Sequence, residues 1–210
     1  MMYLIGGVPR TGKSKIADML RNKAGISLVS TDALEILVHS QTDPSKHAEI
    51  FPKNAMRDCA PTNDEMYTMF TSEEIVDAYK VQAQSVWKNV EKIADIAVRN
   101  DQSVIIEGHH LHPALIMRLL QKYPSHIKSV FLVKKNIDDI VGGARAHTTN
   151  NNWFVQKTHD ESIYPLIGLS LQKYGEFFCQ EAKRNNLVVI EMDGDFSARA
   201  HTVLCYLQDS

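Results

Sequence analysis

The residues from Gly7 to Ser14, GVPRTGKS in one-letter code, combine two glycines, a lysine and a serine at the spacing G-x-x-x-x-G-K-S. This is the phosphate-binding loop pattern, in which glycines allow backbone N–H groups to turn inward around phosphate oxygens. The pattern predicts that Lys13 reaches the β- and γ-phosphates of a nucleotide and that the Ser14 hydroxyl binds magnesium. The predicted nucleotide site is therefore the whole loop, comprising Gly7, Val8, Pro9, Arg10, Thr11, Gly12, Lys13 and Ser14.

The segments beside this loop have the periodicity that a phosphate site needs. The apolar run from Tyr3 to Ile5 predicts a strand before the loop, and apolar residues at helical spacing from Ile16 to Leu20 predict a helix after it. The positive end of that helix dipole would face the phosphates. The alternative is a glycine turn that contains a lysine by accident.

Four further apolar runs resemble the first and predict buried parallel strands. They are separated by helical stretches, which indicates a βαβ organisation, an α/β fold with helices on both faces of a five-stranded sheet. The five runs are Tyr3 to Ile5, Ile26 to Ser30, Ser103 to Gly108, Ser129 to Val133 and Leu187 to Asp193.

Acidic residues follow the strands at the edge where parallel sheets bind ligands. Asp32 lies just after the second run and is predicted to orient or deprotonate an acceptor hydroxyl, although it could instead cap a helix at 33–38. Glu107 closes the third run and is predicted to contact magnesium, directly or through water. Its alternative is a structural pair with Lys13 in the empty site.

The segment EGHHLHP contains His109, His110 and His112. A zinc site is one interpretation, but adjacent histidines in a loop seldom converge on one ion, and no fourth ligand is evident. A substrate contact is favoured, with His109 and His110 as the candidates, because the segment would line the crevice after the third strand.

Four cations are candidates for binding anionic groups. Arg145 precedes a polar stretch and is predicted to stabilise the transferring phosphate, with Lys157 as a second candidate for the same role. Lys53 and Arg57 are predicted to grip an anionic substrate, and the planar fork of arginine suits a bidentate contact. The alternative for Arg145 and Lys157 is a solvated surface charge.

The longest predicted helix begins at Thr71, where TSEE matches a capping box, and continues with one apolar face to Ala97. Further helices are predicted at 113–122, 136–146 and 165–184. Two stretches show no clear periodicity, and we interpret residues 40–70 as a substrate-covering insertion and 146–160 as a lid. The alternative for each is a flexible surface excursion.

Bulk properties narrow the class of protein. With 210 residues, 44% of them hydrophobic, the chain can bury one full core. The net charge of -2 argues against a nucleic-acid surface, and the three separated cysteines suggest neither a disulfide framework nor a zinc site. No apolar run has membrane-spanning length, and the run before the loop is too short for a signal peptide. We expect a cytoplasmic protein that binds neither nucleic acid nor membranes, and a homodimer is left open.

Taken together, the segments GGVPRTGKS, VSTDAL and IIEGHHLHP resemble the P-loop kinases related to 2-phosphoglycerate kinase. The segment from Leu171 to Asp193 is similar to that family's last long helix and final strand. The resemblance covers both ends and the centre of the chain but not the insertion at 40–70. The loop motif is specific for nucleotide binding only, whereas the ST-D and EG-x-H-L-x-P elements narrow the subgroup.

The resemblance implies one three-layer P-loop kinase domain over residues 1–210, with a sheet order of 2-3-1-4-5. It also implies an ATP-dependent phosphotransferase that uses magnesium and moves the γ-phosphoryl group to a hydroxyl of a small metabolite. The residues that match the family's motif positions are Lys13, Ser14, Asp32 and Glu107. The lid departs from the family, because 147–160 contains only one lysine or arginine, Lys157, with Arg145 just before it.

Two alternatives to this kinase remain open, and the weakly basic lid bears on the second of them. One is a zeta-toxin-like or antibiotic phosphotransferase, which also places an acid soon after the second strand. The other is a non-catalytic nucleotide-binding regulator whose lid signals the nucleotide state to a protein partner.

Overall fold

The computed structural model describes residues 1–146 and 152–208. Within those residues, the strands are β1 (Met2–Gly7), β2 (Ser27–Ser30), β3 (Val104–Glu107), β4 (Ile127–Val133) and β5 (Val189–Glu191). All neighbouring strands are parallel and the sheet order is β2-β3-β1-β4-β5. This confirms the five predicted strands and the order that the resemblance implied.

Twelve α-helices connect or cover these strands in the described part of the chain. In chain order they are α1 (Lys13–Ala24), α2 (Thr31–Gln41), α3 (His47–Ile50), α4 (Pro52–Cys59), α5 (Asn63–Met69), α6 (Ser72–Gln82), α7 (Trp87–Arg99), α8 (Pro113–Lys122), α9 (Ile137–Arg145), α10 (Trp153–Gln156), α11 (Ile163–Arg184) and α12 (Phe196–Gln208). Two short 3₁₀ helices are Pro44–Lys46 and Ala83–Val86. None of the helices described is long and apolar enough to cross a membrane.

The core lies on both faces of the sheet because side chains alternate along each strand. Leu4 and Phe131 belong to the larger cluster, which α7, α8 and α11 complete, whereas Ile5 and Val130 belong to a second cluster completed by α1 and α12. All four side chains are completely buried. The three layers that we expected are therefore present.

The register of the strands places the chemistry at one edge of the sheet. Glu107 of β3 pairs with both Ile5 of β1 and Ser30 of β2, so the loops after these three strands begin side by side. The phosphate loop, the start of α2 and the histidine segment consequently open into the same space.

The insertion at 40–70 is helical, which differs from the irregular structure predicted for it. Its prolines caused this error because Pro44 and Pro52 begin helices, where a missing N–H costs nothing. The predicted helix from Thr71 to Ala97 also differs, since a 3₁₀ turn at 83–86 divides it into α6 and α7. Its capping box at Thr71 is present as predicted.

The alternative that Asp32 caps the following helix is wrong. Helix α2 begins at Thr31, and the side chain of Ser30 accepts the hydrogen bond from the Asp32 N–H at 3.3 Å. Because Ser30 is the N-cap residue, the Asp32 carboxylate does not cap this helix.

Gly108 allows the backbone after β3 to lie against α2. Its φ is +148°, and a Cβ atom placed there would lie 1.7 Å from the Thr31 hydroxyl oxygen. We expect Gly108→Ala to lower the free energy of unfolding by about 2 kcal/mol or more, because both the backbone and the Thr31 contact must shift. Urea denaturation followed by circular dichroism would measure this change.

Gly142→Ala is the matched control. Gly142 lies inside α9 with no atom within 4 Å of the added methyl group. Alanine is expected to stabilise the protein there by about 0.5–1 kcal/mol. Equal effects of the two substitutions would contradict the close approach at Gly108.

Candidate active site

The phosphate loop is a tight turn between β1 and α1. Gly7 has φ +120°, and a Cβ atom at this position would lie 2.1 Å from the carbonyl oxygen of Leu132 in the neighbouring strand. Only glycine fits such a close backbone approach. The loop therefore leads directly from the sheet into the N-terminus of α1, where backbone N–H groups and the helix dipole favour a bound anion.

Lys13 is buried beneath this loop, at 7% exposure, and its ammonium group donates to the Val8 carbonyl at 2.7 Å. Burial lowers the pKa of Lys13 to about 8, although the negative charges of Glu107 and Asp32 oppose that shift. The expected alternative of a direct Lys13–Glu107 pair is not what the structure shows, because Lys13 bonds to a carbonyl. Its charge is poorly solvated and suited to an incoming phosphate.

Glu107 is buried at the end of β3. Burial raises its pKa, and the charge of Lys13 and the hydroxyls of Ser30 and Ser14 act in the opposite direction. Carboxylate and hydroxyl oxygens are the ligands that magnesium prefers. Glu107 and Ser14 therefore fit the metal-binding role that we predicted for them.

Asp32 faces the cavity beside His109. The Asp32 side chain is 68% exposed, and its Oδ1 lies 3.3 Å from Nδ1 of His109, which is only 13% exposed. Burial and the neighbouring His110 lower the pKa of His109 to about 4, so its ring is neutral at pH 7 and donates from Nδ1 to the carboxylate. Partial burial would raise the pKa of Asp32, but the bond from His109 and the charge of Lys13 outweigh it and hold it below its ordinary value. Asp32 is thus a fixed carboxylate at neutral pH.

His110 has a different environment from its neighbour. It is completely buried, with Nδ1 at 2.8 Å from the Thr31 hydroxyl and Nε2 at 2.6 Å from the Glu35 carboxylate. Both ring nitrogens are therefore engaged, and His110 is absent from the cavity wall. Our prediction that His110 contacts substrate does not fit this placement, because the ring instead fixes the start of α2. The pKa of Glu35 is lowered to about 2, since hydrogen bonds from His110 and Asn54 outweigh its burial.

The histidine cluster that could have indicated a zinc site is also explained by hydrogen bonds. Ligand atoms of Asp32, His109 and His110 lie within 4.8 Å of one another. However, both His110 nitrogens already have partners, and His112 is buried with Nε2 at 2.7 Å from the Tyr174 hydroxyl. A hydrogen-bonded network accounts for the cluster without a metal ion.

These elements enclose a cavity of about 520 Å³. The phosphate loop, α2, the histidine segment, α4 and residues of the stretch 153–157 all contribute to its lining. The residues that line it are Pro9, Arg10, Lys13, Ser14, Asp32, Glu35, Ile36, Lys53, Arg57, Tyr79, Glu107, Gly108, His109, Trp153 and Lys157. The structure thus brings most of the predicted site residues into one space.

Three cations outside the phosphate loop, Lys53, Arg57 and Lys157, also line this cavity. Burial lowers the pKa of Lys157, and the positive charges of Arg57 and Lys53 lower it further. Lys53 also lies 5.6 Å from the centre of the Tyr79 ring. Like charges held this close favour a bound anion, which would relieve their repulsion.

Arg145 is placed elsewhere. Its guanidinium is hydrogen-bonded to Glu161 and lies 3.9 Å from the centre of the Tyr164 ring, outside the cavity wall. The predicted catalytic role of Arg145 does not fit this position, because a carboxylate and an aromatic face already engage its charge. Of the predicted lid, residues 147–151 lie outside the described residues.

The sequence did not identify Glu35 and Trp153, which line the cavity, or Asn63, which contacts the lining residue Arg57. Glu35 lies three residues after Asp32 and so one turn along α2, a spacing that could have revealed it. Trp153 is the one tryptophan in the polar stretch 147–160, and a large aromatic residue there could have indicated a binding contact. Asn63, which contacts both Arg57 and the α10 region, has no sequence feature that identifies it.

The chain is similar to several known kinases in sequence and in fold. No protein-family model matches the chain. The chain is 29% identical over 141 residues to a 2-phosphoglycerate kinase of Methanocaldococcus jannaschii, covering 63% of this chain and 40% of that protein. It is 24% identical over 174 residues to a mevalonate-3-phosphate 5-kinase of Thermoplasma acidophilum, covering 82% of this chain and 77% of that protein.

Solved structures share the fold at lower identity. A gluconokinase of Sinorhizobium meliloti superposes with a TM-score of 0.55 at 14% identity, covering 98% of this chain and 90% of that one. A shikimate kinase of Bacteroides thetaiotaomicron gives 0.51 at 14% identity, covering 100% and 99%. The chain thus spans 40% of the length of the first kinase compared and nearly all of these two structures. The predicted resemblance to P-loop kinases is confirmed, and the fold is theirs.

Proposed function

We propose that this protein is an ATP-dependent phosphotransferase that moves the γ-phosphoryl group to a hydroxyl of a small anionic metabolite. The observation that carries the proposal is a cavity lined both by the phosphate loop and by three further cations, Lys53, Arg57 and Lys157. Asp32 lines the same cavity and acts on Lys13, so an acceptor hydroxyl bound beside it would meet the transferring group. Kinases among the relatives support the same reaction class.

Each residue at the loop end has a role in that reaction. Lys13 and the loop amides would neutralise charge on the transferring phosphate, which is the main form of catalysis in phosphoryl transfer. Ser14 and Glu107 would hold magnesium, which gathers phosphate charge when bound. Asp32, ionised and held by His109, would accept the hydrogen bond of the acceptor hydroxyl and so orient it.

The acceptor end favours a substrate that carries a phosphate or carboxylate group. Lys53, Arg57 and Lys157 supply the charge for it, and the two named relatives act on phosphorylated acceptors according to their names. The finer proposal is therefore an acceptor of the 2-phosphoglycerate type. The insertion supplies two of the three cations, which compensates for the weakly basic lid.

The first test is ADP release with ATP and magnesium across 2-phosphoglycerate, sugars, nucleosides and nucleotide sugars. We expect acceptor-dependent release that falls at least about 100-fold in Lys13→Ala, because the buried charge beneath the loop is lost. Lys15→Ala is the matched control, since Lys15 is exposed two residues away and lies over the Phe196 ring. Tight nucleotide binding without release on any acceptor would contradict the proposal and favour a regulator.

The pH dependence of nucleotide binding tests the charge of Lys13. Because the pKa of Lys13 is about 8, the free amine predominates above that pH and binding must then take up a proton. We expect the affinity for magnesium and AMPPNP, a non-hydrolysable ATP analogue, to fall by up to about tenfold per pH unit above pH 8. Calorimetry from pH 7 to pH 9.5 would measure it.

Lys13→Arg should remove this slope, because arginine stays charged throughout. Lys15→Arg should retain it. A wild-type affinity that stays constant across the same range would contradict the assignment.

Substitutions of Lys53 and Arg57 should change KM for the acceptor more than KM for ATP. Arg57→Gln and Lys53→Met are expected to raise KM for an anionic acceptor at least about tenfold, since each removes a charge that contacts the acceptor anion, and to change KM for ATP much less. Initial rates with each substrate varied would measure this. Lys88→Met, on helix α7 outside the cavity, is the control. Equal changes in both KM values would argue against a separate acceptor site.

A further inference from the structure

Asn63 is a completely buried polar residue at the first position of α5. Its backbone N–H donates to the Lys157 carbonyl at 2.7 Å, and its side-chain amide donates to the Trp153 carbonyl at 3.1 Å and the Thr158 hydroxyl at 2.9 Å. Its Oδ1 accepts from the guanidinium of Arg57 at 2.9 Å. One side chain therefore joins the insertion to residues 152–160, which we name the α10 segment.

The bond to Arg57 matters because this guanidinium lines the cavity. Its other described hydrogen bonds, to the carbonyls of Ala60 and Pro61, are both long at 3.4 Å. Asn63 is thus the best-placed of these partners for orienting Arg57. All three acceptors are neutral, so the positive charge of Arg57 keeps its capacity to bind an anion.

The α10 segment reaches the phosphate loop at its other end. Arg10 of that loop donates to the side chain of Asn152 at 2.5 Å, and its guanidinium lies 5.6 Å from the centre of the Trp153 ring. Arg10 has a positive φ of 70°, which is uncommon for a residue with a side chain. The contacts from the α10 segment therefore hold an unfavourable loop conformation in place.

A purely structural role for Asn63, as a cap for the carbonyls of α10, would explain only its amide donors. It would not require the opposite side of the amide to hold a cavity-lining arginine. The two sides of Asn63 thus contact two different residues of the cavity lining, Arg57 and Trp153, and Trp153 in turn contacts Arg10 of the phosphate loop. An amide group is rigid, so moving one side moves the other.

We propose that Asn63 is a positioning residue that couples Arg57 at the acceptor end to the Trp153–Arg10 contact at the nucleotide end. This inference rests on the proposed function for its meaning, because the two ends are there assigned to acceptor and nucleotide. An anion that fixes Arg57 stabilises the same placement of the α10 segment that holds the phosphate loop. Acceptor and nucleotide affinities then rise together, by the same factor in each direction.

The coupling between Arg57 and Trp153 through Asn63, which we call the relay, can be tested without knowing the acceptor. The chain contains two tryptophans, so its indole N–H signals in an NMR spectrum can be assigned with Trp153→Phe. We expect Arg57→Gln to shift the Trp153 signal in the wild-type background and to leave it unmoved in an Asn63→Ala background. An equal shift in both backgrounds, or none in the wild type, would overturn the proposal.

Asp64→Asn is the matched control. Asp64 lies next to Asn63 and accepts from the backbone N–H groups of His159 and Asp160 in the same segment, but its described contacts include neither Arg57 nor Trp153. The response of the Trp153 signal to Arg57→Gln should survive this change. If Asn63→Ala does not fold, Asn63→Asp keeps the acceptor for Arg57, removes the donors toward α10 and should likewise abolish the response.

Nucleotide affinity gives the second measurement. Asn63→Ala should weaken the binding of magnesium and AMPPNP about fivefold or more, although Asn63 does not line the cavity. An unchanged affinity would overturn the nucleotide half of the coupling. If the wild-type protein itself binds no AMPPNP, the proposed function and that half fail together, whereas the NMR comparison still decides the relay.

Discussion

The buried ammonium group of Lys13 is the feature around which the site is arranged. A cation in that position must be compensated, and the register of β1, β2 and β3 provides Glu107 and the start of α2 at the same edge of the sheet. The carboxylates of Glu107 and Asp32 both raise the pKa of Lys13, yet burial has the larger effect and lowers it. Lys13 therefore lacks the solvation that an exposed ammonium group has, and phosphate oxygens can supply part of it. In the proposed reaction, a bound polyphosphate would add further negative charge beside Glu107 and Asp32, which is the physical reason to expect a divalent cation there.

Adjacent histidines illustrate how the sheet edge separates chemical roles. His109 and His110 are neighbours in sequence, but one faces the cavity beside Asp32 and the other is enclosed between Thr31 and Glu35. The buried network of His110 holds the N-terminus of α2 against Gly108. Because Asp32 lies in that first turn, the network also fixes the carboxylate that His109 contacts. The buried hydrogen bonds of His110 thus support the exposed carboxylate of Asp32.

The sequence determined the parts of the site that depend on local geometry. The loop at 7–14, the acid at the end of β3 and the acid after β2 were predictable because motif spacing and strand ends are local features. The helices of the insertion were not predicted, since short segments containing prolines have no apolar period long enough to read. Nor could Asn63 be found, because its partners in the α10 segment lie about 90 residues away in the chain.

The insertion and the α10 segment are best understood as one wall of the cavity. Helices α5 and α10 are too short to be stable alone, since they have 7 and 4 residues. They stabilise each other through the buried amide of Asn63, and the carboxylate of Asp64 adds bonds to the backbone of the same segment. A buried polar network of this kind is costly when it is only partly satisfied. Its members therefore form or break together, and the wall has few intermediate arrangements. Under the proposed function, an acceptor anion that binds Arg57 would stabilise the whole wall, so selectivity would depend on the wall as well as on any single charge within it.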